Sequence, residues 1–494
     1  MLAVSALCCC GEKPAETQPS IVPLEVTPPQ LDFTAEGGSD DVSIKASAKP
    51  SVVGQYSWCS WKNSPGGDNA YTLGITVGKN DGEARTAEFS IVCGSEKKIL
   101  KVTQEGVDPE AFLDTPALPD NAATRLAAEL GIGWNLGNQM DAQNNGVASE
   151  TAWGNQKATQ ACFDRVKALG FSTVRIPVTW LGHIGEAPEY RIDEAWLDRV
   201  AEIVGYAEKA GLKAIINIHH DGADSKYWLN IAGAAGNAEL QAQILAEITA
   251  VWGQIAAKFA DKGDFLMFEA FNEIHDGSWG WGANRNDGGA QYRCLNEWNA
   301  AFVKAVRSTG GCNADRMLGI PAYCTNIDLA IEAFVLPEDS VKDRLMLSVH
   351  CYDPGDYCLS AKKSQWGHTA DASQKVAGDN EADLKASFDK LYEHYVSRGI
   401  PVYLGEFGSV NRDNAAEQAF QQYYLSFYAR LSALYGVPAM LWDNGAAGSG
   451  NESFGFINHS TGDFITEGGE AAVEAMLDSY RSDRTLRDIY TTAP

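Results

Sequence analysis

The chain has no long hydrophobic run. No stretch of about 18 apolar residues occurs among its 494, so no segment reads as a membrane-spanning helix. Positive charge is scarce as well: 39 Lys and Arg stand against 65 Asp and Glu, for a formal net charge of −26. Nucleic acids and anionic membrane surfaces are held by basic patches, so neither is an expected partner, and strongly acidic ligands are disfavoured. Beyond residue 10 there is no Cys-x-x-Cys pair, which removes the usual zinc frameworks.

What is present suffices for a sizeable core, with 45% hydrophobic and 21% charged residues. The length exceeds one ordinary domain, and two are expected. Residues 1–23 read as leader and tether. Met1 to Cys10 is an apolar stub ending in Cys8-Cys9-Cys10-Gly11, with Leu7 three residues before Cys10. That is the end of a lipoprotein signal pattern whose basic start is missing, and it predicts lipidation of Cys10. A disordered terminus with a chance cysteine cluster is the other reading. Residues 24–106 read as short alternating strands, among them 42–46, 71–77, 86–92 and 99–104, separated by turns such as Pro65-Gly66-Gly67. They predict a small β-sandwich, in which Trp58 and Trp61 are read as packing residues of a spacer rather than a glycan binder. A proline-bearing linker, 107–121, follows.

From 122 to 494 the rhythm is strand, loop, helix. Apolar runs end at Asn135, Pro177, His219, Glu273, Pro321, Tyr352, Glu406 and Trp442, with helical patterns between them, such as 193–210, 240–259 and 416–435. Eight such units predict an α/β fold, a (β/α)8 barrel. A doubly wound sheet would carry a glycine-rich phosphate turn after its first strand, and none is present. The eight cysteines beyond residue 10 permit disulfides in an exported chain. Cys351 and Cys358, which bracket a short Pro/Gly loop, are the pair singled out, with free buried thiols as the alternative.

Polar residues crowd the ends of those runs: Asn138, Arg175, His219 with His220, Asn272 with Glu273, Tyr323, His350 with Tyr352, Glu406 and Trp442. Barrel enzymes build their active sites at the C-terminal ends of their strands. Two runs, Phe268 to Glu273 and Tyr403-Leu404-Gly405-Glu406, each close on a carboxylate, and two carboxylates are what glycoside hydrolysis requires.

Here the residues carry a resemblance. Gly133-Trp134-Asn135-Leu136-Gly137-Asn138, Val174-Arg175-Ile176-Pro177, Asn217-Ile218-His219-His220-Asp221, Phe268 to Glu273, Ser348-Val349-His350-Cys351-Tyr352 and Leu441-Trp442-Asp443-Asn444-Gly445 resemble glycoside hydrolase family 5. More narrowly they are similar to its fourth subfamily, of endo-β-glucanases and xyloglucanases, over roughly residues 122–480. The N-terminal strands, closing on Val102-Thr103-Gln104-Glu105-Gly106, resemble the BACON domain, often joined to such barrels in Gram-negative bacteria.

The resemblance implies a retaining mechanism with Glu406 as nucleophile and Glu273 as general acid/base. It implies that Arg175 keeps Glu406 ionised, that Tyr352 bonds the same carboxylate, that His350 reaches the acid/base and that Asn272 binds the sugar 2-hydroxyl. Asn138, His219 and His220 would bind hydroxyls, and Trp442 would floor the cleavage point. Trp180, Trp228, Trp279, Trp281 and Tyr323 are candidates for outer subsites, with packing or loop anchoring as the alternative. Glu269 is expected to be a buried structural partner of Arg175. No metal and no cofactor are expected, because neighbouring His219 and His220 on a strand would face opposite ways with no further ligand cluster. Gln139 and Cys351 depart from the family's usual residues and are expected at the rim.

The expected protein is an exported, monomeric endo-β-1,4-glucanase, lipid-anchored to the outer membrane or cell surface of a Gram-negative bacterium. Its expected substrates are cellulose-type and mixed-linkage β-glucans. Preference for xyloglucan or β-mannan is the alternative within the class. A non-catalytic glycan-binding lipoprotein is the alternative outside it.

Overall fold

The computed structural model describes residues 22–80, 82–106 and 110–494; Cys10, with the leader before it, lies outside them. The chain divides into two compact units between Phe112 and Leu113.

The first unit is two four-stranded sheets. One runs in the order Glu25–Thr27, Gly38–Lys45, Ala70–Val77, Cys59–Gly67, and the other Gln30–Phe33, Glu96–Gln104, Arg85–Cys93, Ser51–Val53. Alternation along Arg85–Cys93 sends Ala87, Phe89 and Ile91 inward, where they meet Val42, Ile44, Leu73, Ile75, Leu100 and Val102. Trp58 packs against this core, under the guanidinium of Arg85 at 4.6 Å. Trp61, on an edge strand opposite buried Ile75, is exposed and is not among the residues packed on this core, so of the two tryptophans only Trp58 is seen to pack there.

The second unit is a closed barrel of eight parallel strands: Gly133–Asn135, Thr173–Ile176, Lys213–Ile216, Leu266–Glu269, Leu318–Pro321, Leu345–His350, Val402–Phe407 and Ala439–Leu441. All their residues are buried except half-buried Lys213, as expected for strands covered on both faces. The helices between them start and stop on local signals. Glu194–Ala210 begins on Asp193, whose side chain accepts from Ala195 N, and ends on Gly211 at φ 72°. Ala415–Tyr435 begins on Asn414 and ends on Gly436 at φ 62°. The strand N-termini are closed by Leu130, Ile215, Met267, Met346, Tyr403 and Met440.

Two strands stop three or more residues short of their apolar runs. The third ends at Ile216 rather than His219, and the fourth at Glu269 rather than Glu273. Main-chain bonds nevertheless continue past both tips: His219 N donates to Val178 O at 2.8 Å, and Asn272 N to Ile218 O at 2.9 Å. The segment that carries Glu273 is therefore tied to its neighbour beyond the end of the strand. Cys351 and Cys358 are buried free thiols, so the staple singled out from sequence is not formed. The loop closes through its backbone instead, with Tyr357 N and Cys358 N both donating to Pro354 O at 2.9 Å.

Candidate active site

The site is built outward from one guanidinium. Arg175, fully buried on the second strand, donates from Nε to Glu269 at 2.8 Å, from Nη1 to Asn135 at 3.1 Å and Glu406 at 2.9 Å, and from Nη2 to Asn272 at 2.9 Å. Arg175 is thus the partner of buried Glu269 and also contacts Glu406, whose ionisation it favours while burial opposes it. Glu269 is enclosed on every side, receiving Ser348 Oγ at 2.6 Å, Tyr403 OH at 2.7 Å and Asn217 Nδ2 at 2.8 Å besides Arg175. Burial would push its carboxyl up, but Arg175 and these donors hold it below its ordinary value. It is a fixed anion under the site and does not face the cleft.

Glu406 and Glu273 do face it. Glu406 accepts Arg175 on Oε1 and Tyr352 OH on Oε2 at 3.0 Å. Glu273 Oε1 is bonded to His350 Nδ1 at 2.8 Å, and the same nitrogen lies 3.7 Å from Glu406 Oε2. One oxygen of each carboxylate and a His350 nitrogen all lie within 4.8 Å of one another. Retaining glycosidases hold their carboxyls about 5–5.5 Å apart, whereas inverting ones need about 6.5–9.5 Å to admit a water. The geometry is that of retention.

Burial opposes charge on each member of this trio. At Glu406 it prevails, and the carboxyl is raised above its ordinary value although His350 and Arg175 pull it down. At Glu273 the bond and charge of His350 outweigh burial and lower it. His350 is raised in turn, because Glu406 and the Glu273 bond outweigh burial. A raised histidine bonded to a lowered carboxyl amounts to one shared proton. Moved along the bond from Nδ1 to Oε1, it turns an ion pair into a neutral acid.

Around the pair opens a cleft of about 780 Å³, lined among others by Asn138, Trp153, His219, His220, Asn272, Trp279, Trp281 and Trp442. Trp442 stands on Gly137, where a Cβ would come 2.8 Å from the indole ring, and lies parallel to His219 with centroids 6.1 Å apart. His219 Nδ1 faces Asn217 Nδ2 at 3.1 Å; since Asn217 Oδ1 already accepts Val178 N, that amide nitrogen donates and His219 must carry its proton on Nε2. Burial and neighbouring cations hold His219 neutral, so it offers the cleft a hydrogen-bond donor. His220, raised by Asp141 despite its burial, lies 3.6 Å from that carboxylate and beside Trp153.

Several placements differ from the sequence reading. His219 and His220 both line the cleft, because the chain has left the strand before reaching them, and Asp141 joins them within 4.8 Å. Two possible ligand clusters thus exist among the described residues, this one and Glu273 with His350 and Glu406; in the first, the proton that Asn217 imposes on His219 Nε2 turns that nitrogen from acceptor to donor. Trp180 is fully buried and not on the cleft; its Nε1 donates to Asn217 O at 3.1 Å. Trp228 is tied at 2.8 Å to Asp221, a carboxyl that burial pushes up to about 6. Tyr323 is buried, with its OH between Gln291 and Asp276 N, so it anchors the loop that carries Trp279 and Trp281. Those two, 57% and 71% exposed, do line the cleft. Gln139 is buried away from the rim, bonded to Glu150 and His459, whereas Cys351 does line the cleft. Sequence reasoning missed Trp153 and Glu452. Trp153 had only a following glycine to mark it, and Glu452 none but its glycine-rich loop.

Residues 138–448 match the family model described as Cellulase (glycosyl hydrolase family 5). The chain belongs to that family. It is a glycoside hydrolase, in a family that works by retention with glutamate catalytic residues. Residues 32–105 match the BACON domain. A GH5-4 broad specificity endoglucanase from Bacteroides salanitronis is 52% identical, covering 75% of this chain and 98% of its own with a TM-score of 0.72. A xyloglucan-specific endo-beta-1,4-glucanase from Bacteroides ovatus is 32% identical over 443 residues, 84% of each chain. Endoglucanase A of Paenibacillus barcinonensis is 36% identical over 353 residues, 68% of this chain and 85% of that one.

Proposed function

We propose that this family 5 hydrolase cuts internal β-1,4 linkages of β-glucans, with Glu406 as nucleophile and Glu273 as general acid/base. The observation that carries the reading is the pair of carboxylates within 4.8 Å and their unequal surroundings. Glu406 is fixed by Arg175 and Tyr352, two donors that favour its anion against the burial that raises it, whereas Glu273, lowered by His350, must take the proton of that bond before it can act as an acid.

In the first step a Glu406 oxygen attacks the anomeric carbon, and the glycosidic C–O bond breaks. Glu273 gives the shared proton to the departing oxygen, leaving a glycosyl ester on Glu406. In the second step Glu273 takes a proton from water, whose oxygen attacks the same carbon and frees Glu406. Asn272 Oδ1 accepts from Arg175 Nη2, so its amide NH2 is left for the sugar 2-hydroxyl. Trp442 and the neutral donor His219 take the faces and hydroxyls of the bound ring. An open cleft flanked by Trp153, Trp279 and Trp281 suits attack within a chain rather than at its end. The relatives named for broad specificity and for xyloglucan support acceptance of both unbranched and branched glucans.

The roles are tested by azide rescue. Glu406→Ala should lose about 10³-fold or more of its activity and, with azide, release an α-glycosyl azide. Glu273→Ala should instead give the β-azide from an activated substrate. Identical products from both, or wild-type rates from either, would overturn the assignment. We further propose that the protein is monomeric, exported and lipid-anchored at Cys10, on the Leu7 to Gly11 pattern. A Cys10→Ser protein that stays in the membrane fraction would refute the anchor.

A further inference from the structure

The cleft holds a carboxylate that the mechanism leaves unused. Glu452 lines it with Glu273 and Glu406, on the loop that follows the last strand. Its backbone sits at φ 59°, a conformation that is strained for a residue with a side chain. The loop is fixed there: Asn444 Nδ2 donates to Glu452 O at 2.7 Å, and Asn444 Oδ1 accepts Ala446 N and Phe454 N. The Glu452 carboxylate itself has no hydrogen bond or ion pair among the described residues.

The cleft's cationic groups are histidines alone, and the raised ones, His220 and His350, are paired with Asp141 and with Glu273. Four carboxylates line the cleft, Glu273, Asp353, Glu406 and Glu452, and no Lys or Arg does. Arg175 lies beneath, but its donors are committed to Glu269, Glu406, Asn135 and Asn272. Glu452 is exposed at the cleft, and loss of water on its protein side, then Glu406 and Glu273, raise its carboxyl, so its field and theirs overlap. Of the four, Asp353 takes the Cys351 thiol and the catalytic two are bound by His350, Arg175 and Tyr352. Only Glu452 is left to meet substrate as a bare charge.

We propose that Glu452 is a specificity-determining residue that selects uncharged glucan chains against chains whose sugars bear carboxylates. The proposal rests on the β-glucan reading. A sugar carboxylate in the cleft would face an unneutralised anion, while a neutral hydroxyl would find in it a hydrogen-bond acceptor.

The test is kcat/KM on barley β-glucan and on carboxymethylcellulose for wild type, Glu452→Gln and Glu452→Lys. The ratio of neutral to anionic substrate should fall about fivefold in E452Q, the size of one partly screened charge interaction, and further in E452K. Added salt should lower the wild-type ratio more steeply than that of E452Q, which keeps the other carboxylates of the cleft. A merely structural role would change both substrates together and keep the ratio constant, which would overturn the proposal. Wild type inactive on barley β-glucan would overturn the substrate reading and this proposal with it; an active wild type with an unmoved ratio would overturn this proposal alone.

Discussion

His350 Nδ1 lies 2.8 Å from Glu273 and so ties the protonation of the acid/base candidate to a histidine. The raised His350 keeps the shared proton to higher pH than an ordinary imidazole would. The raised Glu406 must lose its proton before it can attack. The rate profile should therefore rise above the ordinary carboxylate range and fall above the usual histidine value. His350→Asn should move the alkaline limb, and an unmoved limb in kcat/KM against pH would separate His350 from the acid/base.

Arg175 and Glu269 predict a stability effect separate from the chemistry. Removing one partner leaves the other charged and buried, which costs about 3–5 kcal/mol. Arg175→Met and Glu269→Ala should both lower the denaturation midpoint strongly. In the same assay Glu406→Ala, which leaves the Arg175–Glu269 pair intact, should cost far less.

Glu247, on the helix Ala238–Lys258, is pushed up to about 7 by burial and then by Asp221. Its folded pKa exceeds the unfolded one, so its contribution to stability is full below about pH 4.5. It is lost as pH rises through 7. Glu247→Gln should raise Tm at pH 8 and leave it nearly unchanged at pH 4. Equal shifts at both would refute the assignment.

The tryptophans should separate by assay. Trp281→Ala, at an exposed position, should leave Tm unchanged and raise KM on long chains. Trp180→Ala should cost about 3–5 kcal/mol of stability, as expected for a large buried ring. A Tm loss at Trp281 would make it a packing residue.

Chelation is expected to have no effect. The proton fixed on His219 Nε2 by Asn217 sets the Asp141, His219 and His220 group against metal binding. Activity lost to EDTA and restored by a divalent ion would reverse that conclusion.

The fold was legible because its signals are local. The eight apolar runs and caps such as Asp193, Asn414, Gly211 and Gly436 lie in sequence where they act. Glu273 and Glu406 were legible because each closes an apolar run. The tryptophans were not, because Trp180 and Trp279 differ only in where a loop carries them. Nor was the neutral donor at His219, which depends on Asn217 being occupied by Val178. The supposed disulfide failed for a related reason: spacing gives a distance along the chain, not across it.

The single guanidinium at Arg175 also bears on how this barrel can change. Asn135, Glu269, Asn272 and Glu406 come from three strands and the loop after one of them, yet each is positioned through the same planar group. Substitutions among them will not combine as independent effects. An engineer or a lineage seeking new substrates is therefore steered outward, to loops such as the one bearing Glu452, where changes can accumulate one at a time.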